Sequence, residues 1–342
     1  MKTVRVKQGT LAWEKLRESR IGSSEIFDIV RYYATDTELQ NCGINAEKFR
    51  AEKPYTTAWL LYHKMLGDGI YRKEALAPEF AEYGHAAEPY GVHVLQRGRR
   101  KKLKPGKVYI NDRLIASLDI EGIAEEIDEI QYDYGSGKPK AGQKFACEQK
   151  TMLPQMIKYG IPFKYIIQAQ YQILETKADF FILQIMVLDE DTPFVRGKIC
   201  QMSKQKRFDY LDKNMRVGMY YFKNNEHLAR LIDTCITRFF EAVDSRSEPT
   251  PFICCDSQQN IIESIRLNSA YNDKMSLEYD LSVFGSAKDA EEKAEKAKKD
   301  ELQKIVELAH ANNACRFHAP DGSTASFSKN GRFLYRAAEV VV

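Results

Sequence analysis

The chain has 342 residues, 44% hydrophobic and 29% charged, a balance that supports a buried core and argues against a disordered chain. With 51 Lys+Arg against 48 Asp+Glu the formal net charge is +3, so overall charge does not mark a polyanion-binding protein and any nucleic-acid surface must be local. No apolar run approaches membrane-spanning length, and Met1-Lys2-Thr3-Val4-Arg5 lacks a signal-peptide core. Seven scattered cysteines form no Cys-x-x-Cys, and Cys254-Cys255 are too close for an ordinary disulfide; reduced thiols in a cytoplasmic setting are expected.

The first patterned stretch is Thr10–Arg20. Trp13 and Leu16 lie one helical turn apart and face a core, leaving Arg17 and Arg20 together at the helix exit. Gly22 then gives a turn, a serine caps, and Ile26, Ile29 and Val30 form an apolar helical stripe. A helix start with unpaired N–H groups beside two arginines suits a phosphate. A capped surface helix with solvated arginines is the plainer reading of these residues alone. Residues 31–75 read as irregular helix and loop, with Trp59, Leu60, Leu61, Met65 and Leu66 on a core-facing helix.

Between 80 and 95, Tyr83, Ala87, Tyr90 and Val94 form a buried helical face, while Glu82, His85 and Glu88 are neighbours on the outside. Pro89 predicts a kink or a helix start. His85 fits an ordinary polar-face histidine better than a metal ligand. The basic run Arg97–Lys104 leads into Val108–Ile110 and Leu114–Leu118, a hairpin whose second strand ends at Asp119. Its basic edge is equally consistent with a solvated face and with a track for phosphates.

Residues 121–129 are acidic with a helical reading, and 134–142 form a loop. The chain returns as the strand Lys144–Thr151. Strand side chains alternate, so Glu148 and Lys150 project from one side and Gln149 from the other. Asp119 and Glu148 fall near the ends of two successive strands, which as antiparallel neighbours would bring both carboxylates to one metal. A helix over 162–174 packs Ile166, Ile167, Tyr171 and Leu174, with Gln168 and Gln172 on a shared face. Phe180–Leu188 is a buried strand. These elements predict an α/β (α+β) fold with a central mixed sheet flanked by helices.

A polar, proline-containing junction at 243–251 divides the chain into a domain of residues 1–250 and a C-terminal extension of residues 251–342. The extension reads as a charged helix over 287–308, with Glu292–Lys296 and Glu295–Lys299 pairs, followed by a small β-hairpin element over 315–335.

The set Glu88, Asp119, Glu148-Gln149-Lys150 and Gln168-Ala169-Gln170 resembles the PD-(D/E)xK nuclease core. More narrowly it resembles the phage lambda exonuclease (YqaJ-type) recombination nucleases, through Ala12-Trp13-x-Lys15-Leu16-Arg17 followed by Ser24-Glu25, Gly84-x-x-x-Glu88 and Gln168-x-Gln170-Tyr171. The resemblance covers roughly residues 10 to 250. It implies a Mg²⁺-dependent 5′→3′ exonuclease that digests linear double-stranded DNA from its ends and leaves 3′ tails for recombination. The implied site has two Mg²⁺ ions, with Mn²⁺ as substitute, held by Asp119, Glu148, the Gln149 backbone carbonyl and Glu88. Lys150 would orient or deprotonate the attacking water, Gln168 and Gln170 would hold water or phosphate, and Arg17 with Ser24 would grip the 5′-terminal phosphate. Implied partners are duplex DNA ends, a single-strand annealing protein and further copies of the chain in a ring, often a trimer; no membrane is implied.

Two features depart from the family pattern. Its usual Asp-Gly is Asp119-Ile120-Glu121-Gly122 here, and the excursion to Glu148 is long. The spaced cysteines of the family's iron–sulfur relatives are missing, so no cluster is expected. The alternatives are an endonuclease on the same core and a non-catalytic DNA-binding or scaffold protein.

Overall fold

A computed structural model of the chain describes residues 1–71, 78–125, 132–133, 139–154, 160–252, 295, 316–318, 324–327 and 333–336. The chain divides into two compact units, Met1–Tyr271 and Asn272–Val342.

The first unit begins with β1 (Lys2–Val4) and α1 (Leu11–Glu18), the latter started by the Thr10 hydroxyl accepting from the Trp13 N–H. β2 (Ile21–Gly22) runs through a 3-10 turn at Ser23–Glu25 into α2 (Ile26–Tyr33). The expected serine cap is absent at this start; the Glu25 carboxylate instead folds back and accepts from the Gly22 N–H at 2.6 Å. Three helices follow, α3 (Asp36–Asn41), α4 (Ala46–Ala51) and α5 (Ala58–Leu66), opened by Thr35, Asn45 and Thr57 side chains respectively and, for α5, closed by Gly67 in the left-handed region. α6 (Pro78–Gln96) then runs unbroken through Pro89, contrary to the expected kink. Pro89 is exposed, so its ring and the hydrogen bond it removes both lie on the water side of the helix.

After the two-residue β3 (Lys104–Pro105), β4 (Val108–Ile110) and β5 (Leu114–Ser117) form the expected antiparallel hairpin. β1 and β2 flank it in a four-stranded sheet of order β1-β4-β5-β2. β6 (Ile120–Ile123) is a strand where the acidic composition suggested helix; its antiparallel pairing with Lys144–Cys147 outweighs local propensity. The rest of the predicted acidic helix lies outside the described residues.

β7 (Tyr132–Asp133), β8 (Lys144–Met152), α7 (Phe163–Thr176), β9 (Phe180–Leu188), α8 (Pro193–Gln201), α9 (Lys204–Asn214), β10 (Met215–Phe222) and α10 (Glu226–Asp244) complete the unit. The main sheet has the order β3-β6-β8-β9-β10-β7. β6 and β10 are antiparallel to their neighbours β8 and β9, whereas β8 and β9 are parallel and joined through α7. The sheet is therefore mixed.

β9 is buried along its whole length because helices cover both faces. Ile185 and Val187 join the larger core with residues of α2, α7 and α10; Met186 and Leu188 face the opposite cluster with Tyr83, Ala87 and Tyr90 of α6. In α7, Ile166, Ile167 and Tyr171 are buried as expected, but Leu174 is 36% exposed at the helix end.

α6 approaches the sheet closely at Gly91. A Cβ there would come 2.2 Å from Gln149 Nε2 and 2.8 Å from Gln184 Oε1. Those two side chains are hydrogen-bonded at 2.6 Å, and Gln184 Nε2 donates to the Gly91 carbonyl at 3.1 Å. A polar clasp thus joins α6, β8 and β9.

In the second unit the predicted hairpin element is a three-stranded antiparallel meander, β11 (Arg316–His318), β12 (Thr324–Phe327) and β13 (Phe333–Arg336). The predicted 287–308 helix lies outside the described residues except for Glu295.

Gly91→Ala should destabilise the first unit by about 1–3 kcal/mol, the usual cost of overpacking a close contact. Denaturant unfolding followed by circular dichroism measures the change, and an unaltered midpoint would contradict the clasp.

Candidate functional site

Asp119 occupies the crossover between the two sheets, just after β5 and immediately before β6. The antiparallel register sets Ile120 opposite Cys147, so Asp119 is brought beside the start of the Glu148–Lys150 segment. Its Oδ2 accepts from the Gln149 N–H at 2.7 Å. Burial, reinforced by the neighbouring Glu148, holds the Asp119 carboxyl well above the usual aspartate range; Lys150 and the Gln149 N–H pull in the other direction without prevailing.

Glu148 is buried, and its Oε1 accepts from Lys150 Nζ at 2.7 Å. Burial works against the Lys150 charge, but Glu148 and Asp119 overcome it and hold the ammonium pKa above its ordinary range. Gln149 points to the other face and is occupied in the clasp under α6. Strand alternation therefore separates the charged pair from the glutamine as the sequence requires.

Glu88, on α6, is near enough to add to the repulsion on Asp119, yet it is 45% exposed and its Oε1 lies 3.2 Å from His85 Nδ1. Among the described residues, no three His, Cys, Asp or Glu side chains form a ready-made cation cage. The donors that Asp119 and Glu148 offer are hard carboxylate oxygens, the type Mg²⁺ prefers, and their mutual repulsion is what a divalent cation relieves. The pair fits such an ion.

The N-terminal elements complete a cleft of about 140 Å³ shared by Arg17, Ser24, Ser117, Glu148, Lys150 and Gln168. Arg17 lies with its guanidinium carbon 4.9 Å from the Trp13 ring centroid, and Trp13 Nε1 donates to Ser117 Oγ at 2.9 Å. Arg20 leaves its expected partner Arg17: its Nε donates to the Asn111 carbonyl at 2.8 Å and ties α1 to the β4–β5 turn.

The glutamines of α7 divide. Gln168 lines the cleft. Gln170, assigned to water or phosphate from the family motif, is committed elsewhere: Nε2 donates to the Lys223 carbonyl at 2.7 Å and Oε1 accepts from the Asn225 N–H at 2.9 Å. Two helical residues are about 200° of rotation, so Gln168 and Gln170 cannot share a face.

Gln172, four residues from Gln168, is the glutamine beside the carboxylates. Its Nε2 approaches Ser23 Oγ at 3.1 Å, the Ser117 carbonyl at 3.1 Å and Glu148 Oε2 at 3.4 Å, while Oε1 is buried without a hydrogen-bond partner. The i, i+4 spacing with Gln168 carried that signal in the sequence. Ser117 carried none.

The arrangement defines a mixed α/β protein with a carboxylate–lysine strand end opening onto a partly basic cleft. No family model and no curated protein matches the chain. Among solved structures it is similar to an alkaline exonuclease from Laribacter hongkongensis, at 13% identity over 69% of this chain and 94% of that one, with a TM-score of 0.41. It is also similar to a phage-related exonuclease from Haemophilus somnus 129PT, at 11% identity over 68% of this chain and 96% of that one, with a TM-score of 0.42.

The raised Asp119 pKa has a definite sign for stability. Between the ordinary value of 3.8 and the raised folded value, the unfolded chain ionises while the folded carboxyl stays protonated, so rising pH costs stability. Asp119→Asn should therefore melt higher than wild type at neutral pH in chelator-treated buffer. The advantage should shrink toward zero in acid, as read by melting curves across pH.

Proposed function

We propose that the protein is a metal-dependent deoxyribonuclease that degrades linear duplex DNA from 5′-phosphorylated ends. The observation that carries this reading is the shared cleft: Glu148, Lys150 and Gln168 line it together with Arg17 and Ser24. A hydrolytic edge and an anion seat within one small cleft suit a substrate whose terminal phosphate is close to the bond being cut. The motif resemblance supports the same chemistry.

Asp119, Glu148 and the Gln149 backbone carbonyl would hold the Mg²⁺, with Glu88 supporting from α6. When bound, Mg²⁺ lowers the pKa of water and neutralises phosphate charge. Lys150, kept charged by Glu148 and Asp119, donates a hydrogen bond to the attacking water or a phosphate oxygen rather than taking a proton. Gln168 lines the path of the phosphate, and Gln172 steadies Glu148 through Oε2. Water adds to phosphorus, the bond from phosphorus to the 3′ oxygen breaks, and that oxygen leaves with a proton. Arg17 and Ser24 fix the 5′-terminal phosphate by charge and hydrogen bonding.

Linear duplexes with 5′-phosphoryl or 5′-hydroxyl ends, and covalently closed circles, should be incubated with and without Mg²⁺. Digestion is expected only with Mg²⁺, fastest on phosphorylated ends and absent on circles. Digested circles would instead identify an endonuclease. Lys150→Ala should slow Mg²⁺-dependent digestion by roughly 10²–10³-fold, the scale of losing one preorganised donor; a wild-type rate would remove Lys150 from the chemistry.

A further inference from the structure

Behind Arg17 lies a buried ion pair that the proposed chemistry does not use. Lys64 of α5 reaches Glu25 with Nζ 3.0 Å from Oε1 and 2.8 Å from Oε2. The two side chains are only 5% and 9% exposed. The same carboxylate accepts from the Gly22 N–H at 2.6 Å and from the Tyr71 hydroxyl, so Glu25 is held by Lys64 and by two neutral donors.

Arg17 also faces this carboxylate, but its Nη2 stops 3.9 Å from Glu25 Oε1. The guanidinium lies over the Trp13 ring, and Gly22, lacking a Cβ that would come 3.0 Å from Arg17 Nη2, leaves room for it. Arg17 is thus seated beside Glu25 without closing onto it.

The charges explain what this seating achieves. Arg17, Lys64 and Glu25 together carry one positive charge. Lys64 engages both carboxylate oxygens out of water, so the negative charge of Glu25 is already matched when Arg17 meets the cleft. Without Lys64, Glu25 would keep only neutral donors, the Gly22 N–H and the Tyr71 hydroxyl, and its buried charge would be matched only by the adjacent guanidinium. Arg17 would then close onto Glu25, and the net charge offered to the cleft would fall to zero.

We propose that Lys64 is a positioning residue for end recognition: by neutralising Glu25 it keeps Arg17 directed at the 5′-terminal phosphate, and so sets the preference for phosphorylated ends. This rests on the reading of the cleft as a nuclease end site. Lys64 acts on end recognition through Glu25 and Arg17.

The test compares kcat/KM for duplexes with 5′-phosphoryl and 5′-hydroxyl ends. Lys64→Met keeps most of the side-chain stem and removes the charge. It should lower the phosphoryl-to-hydroxyl ratio by about tenfold, the order of one charge-assisted hydrogen bond, with the change in KM of phosphorylated ends rather than kcat. Adding Glu25→Gln to Lys64→Met restores the net positive charge and should restore the ratio, which a purely structural role of Lys64 would not do.

A wild-type ratio in Lys64→Met overturns the proposal, as does a double variant that folds, by its melting curve, but does not recover the preference. If Lys64→Met alone fails to fold, the double variant, with its buried pair neutral, decides by the same ratio. Wild-type enzyme that treats both ends alike overturns the end-recognition reading itself, a result separable from the loss of Lys64 function.

Discussion

The pairing of β6 with β8 is the constraint on which the site depends. Its register, with Ile120 opposite Cys147 and Gly122 opposite Phe145, sets Asp119 at the Gln149 N–H and next to Glu148. Gly122 is needed for that register, because a Cβ would come 2.3 Å from the Phe145 ring. Gly106 has a similar role at the preceding turn, where a Cβ would strike the Leu118 carbonyl at 2.1 Å. Two close backbone approaches therefore fix the carboxylate, and β8 is held on its other edge by eight parallel residue pairs with β9. The place of the glycine in Asp119-Ile120-Glu121-Gly122 has its physical reason in the Phe145 ring.

A strand end built in this way concentrates charge where solvent is scarce. Glu148 and Asp119 oppose each other, Lys150 answers part of the negative charge, and Gln172 adds a neutral donor behind them. Burial first, and the remaining charge imbalance after it, raise the Asp119 pKa. Such a cluster is a poor core, and its cost is carried by the apolar packing around β8 and β9 and by the glutamine clasp under α6.

The N-terminal side solves a related problem with different residues. Glu25 is buried, yet it closes the 3-10 turn before α2, binds Lys64 and lies 3.9 Å from Arg17 Nη2. Trp13 spans the two layers by packing with α1 against the hairpin and donating to Ser117. The small sheet and its helix thus carry Trp13 and Arg17, while the large sheet carries the carboxylates and lysine, and the cleft lies beside Ser117, where the chain leaves the small sheet for the large one.

By itself the sequence determined the elements whose side chains repeat regularly. Alternation defined β8 and separated Glu148 and Lys150 from Gln149; a continuous apolar run defined β9; i, i+4 spacing paired Gln168 with Gln172. These follow from local geometry, which periodicity encodes directly. Tertiary structure decided what local rules do not reach. It made Ile120–Ile123 a strand because β8 offered a partner, let α6 pass through Pro89 because that side faces water, and turned Gln170 toward Lys223 and Asn225. It also joined Lys64 to Glu25 across 39 residues of chain. Long-range charge pairing leaves no periodic trace, so only the folded chain shows that Glu25 is paired with Lys64 and that Arg17 lines the cleft.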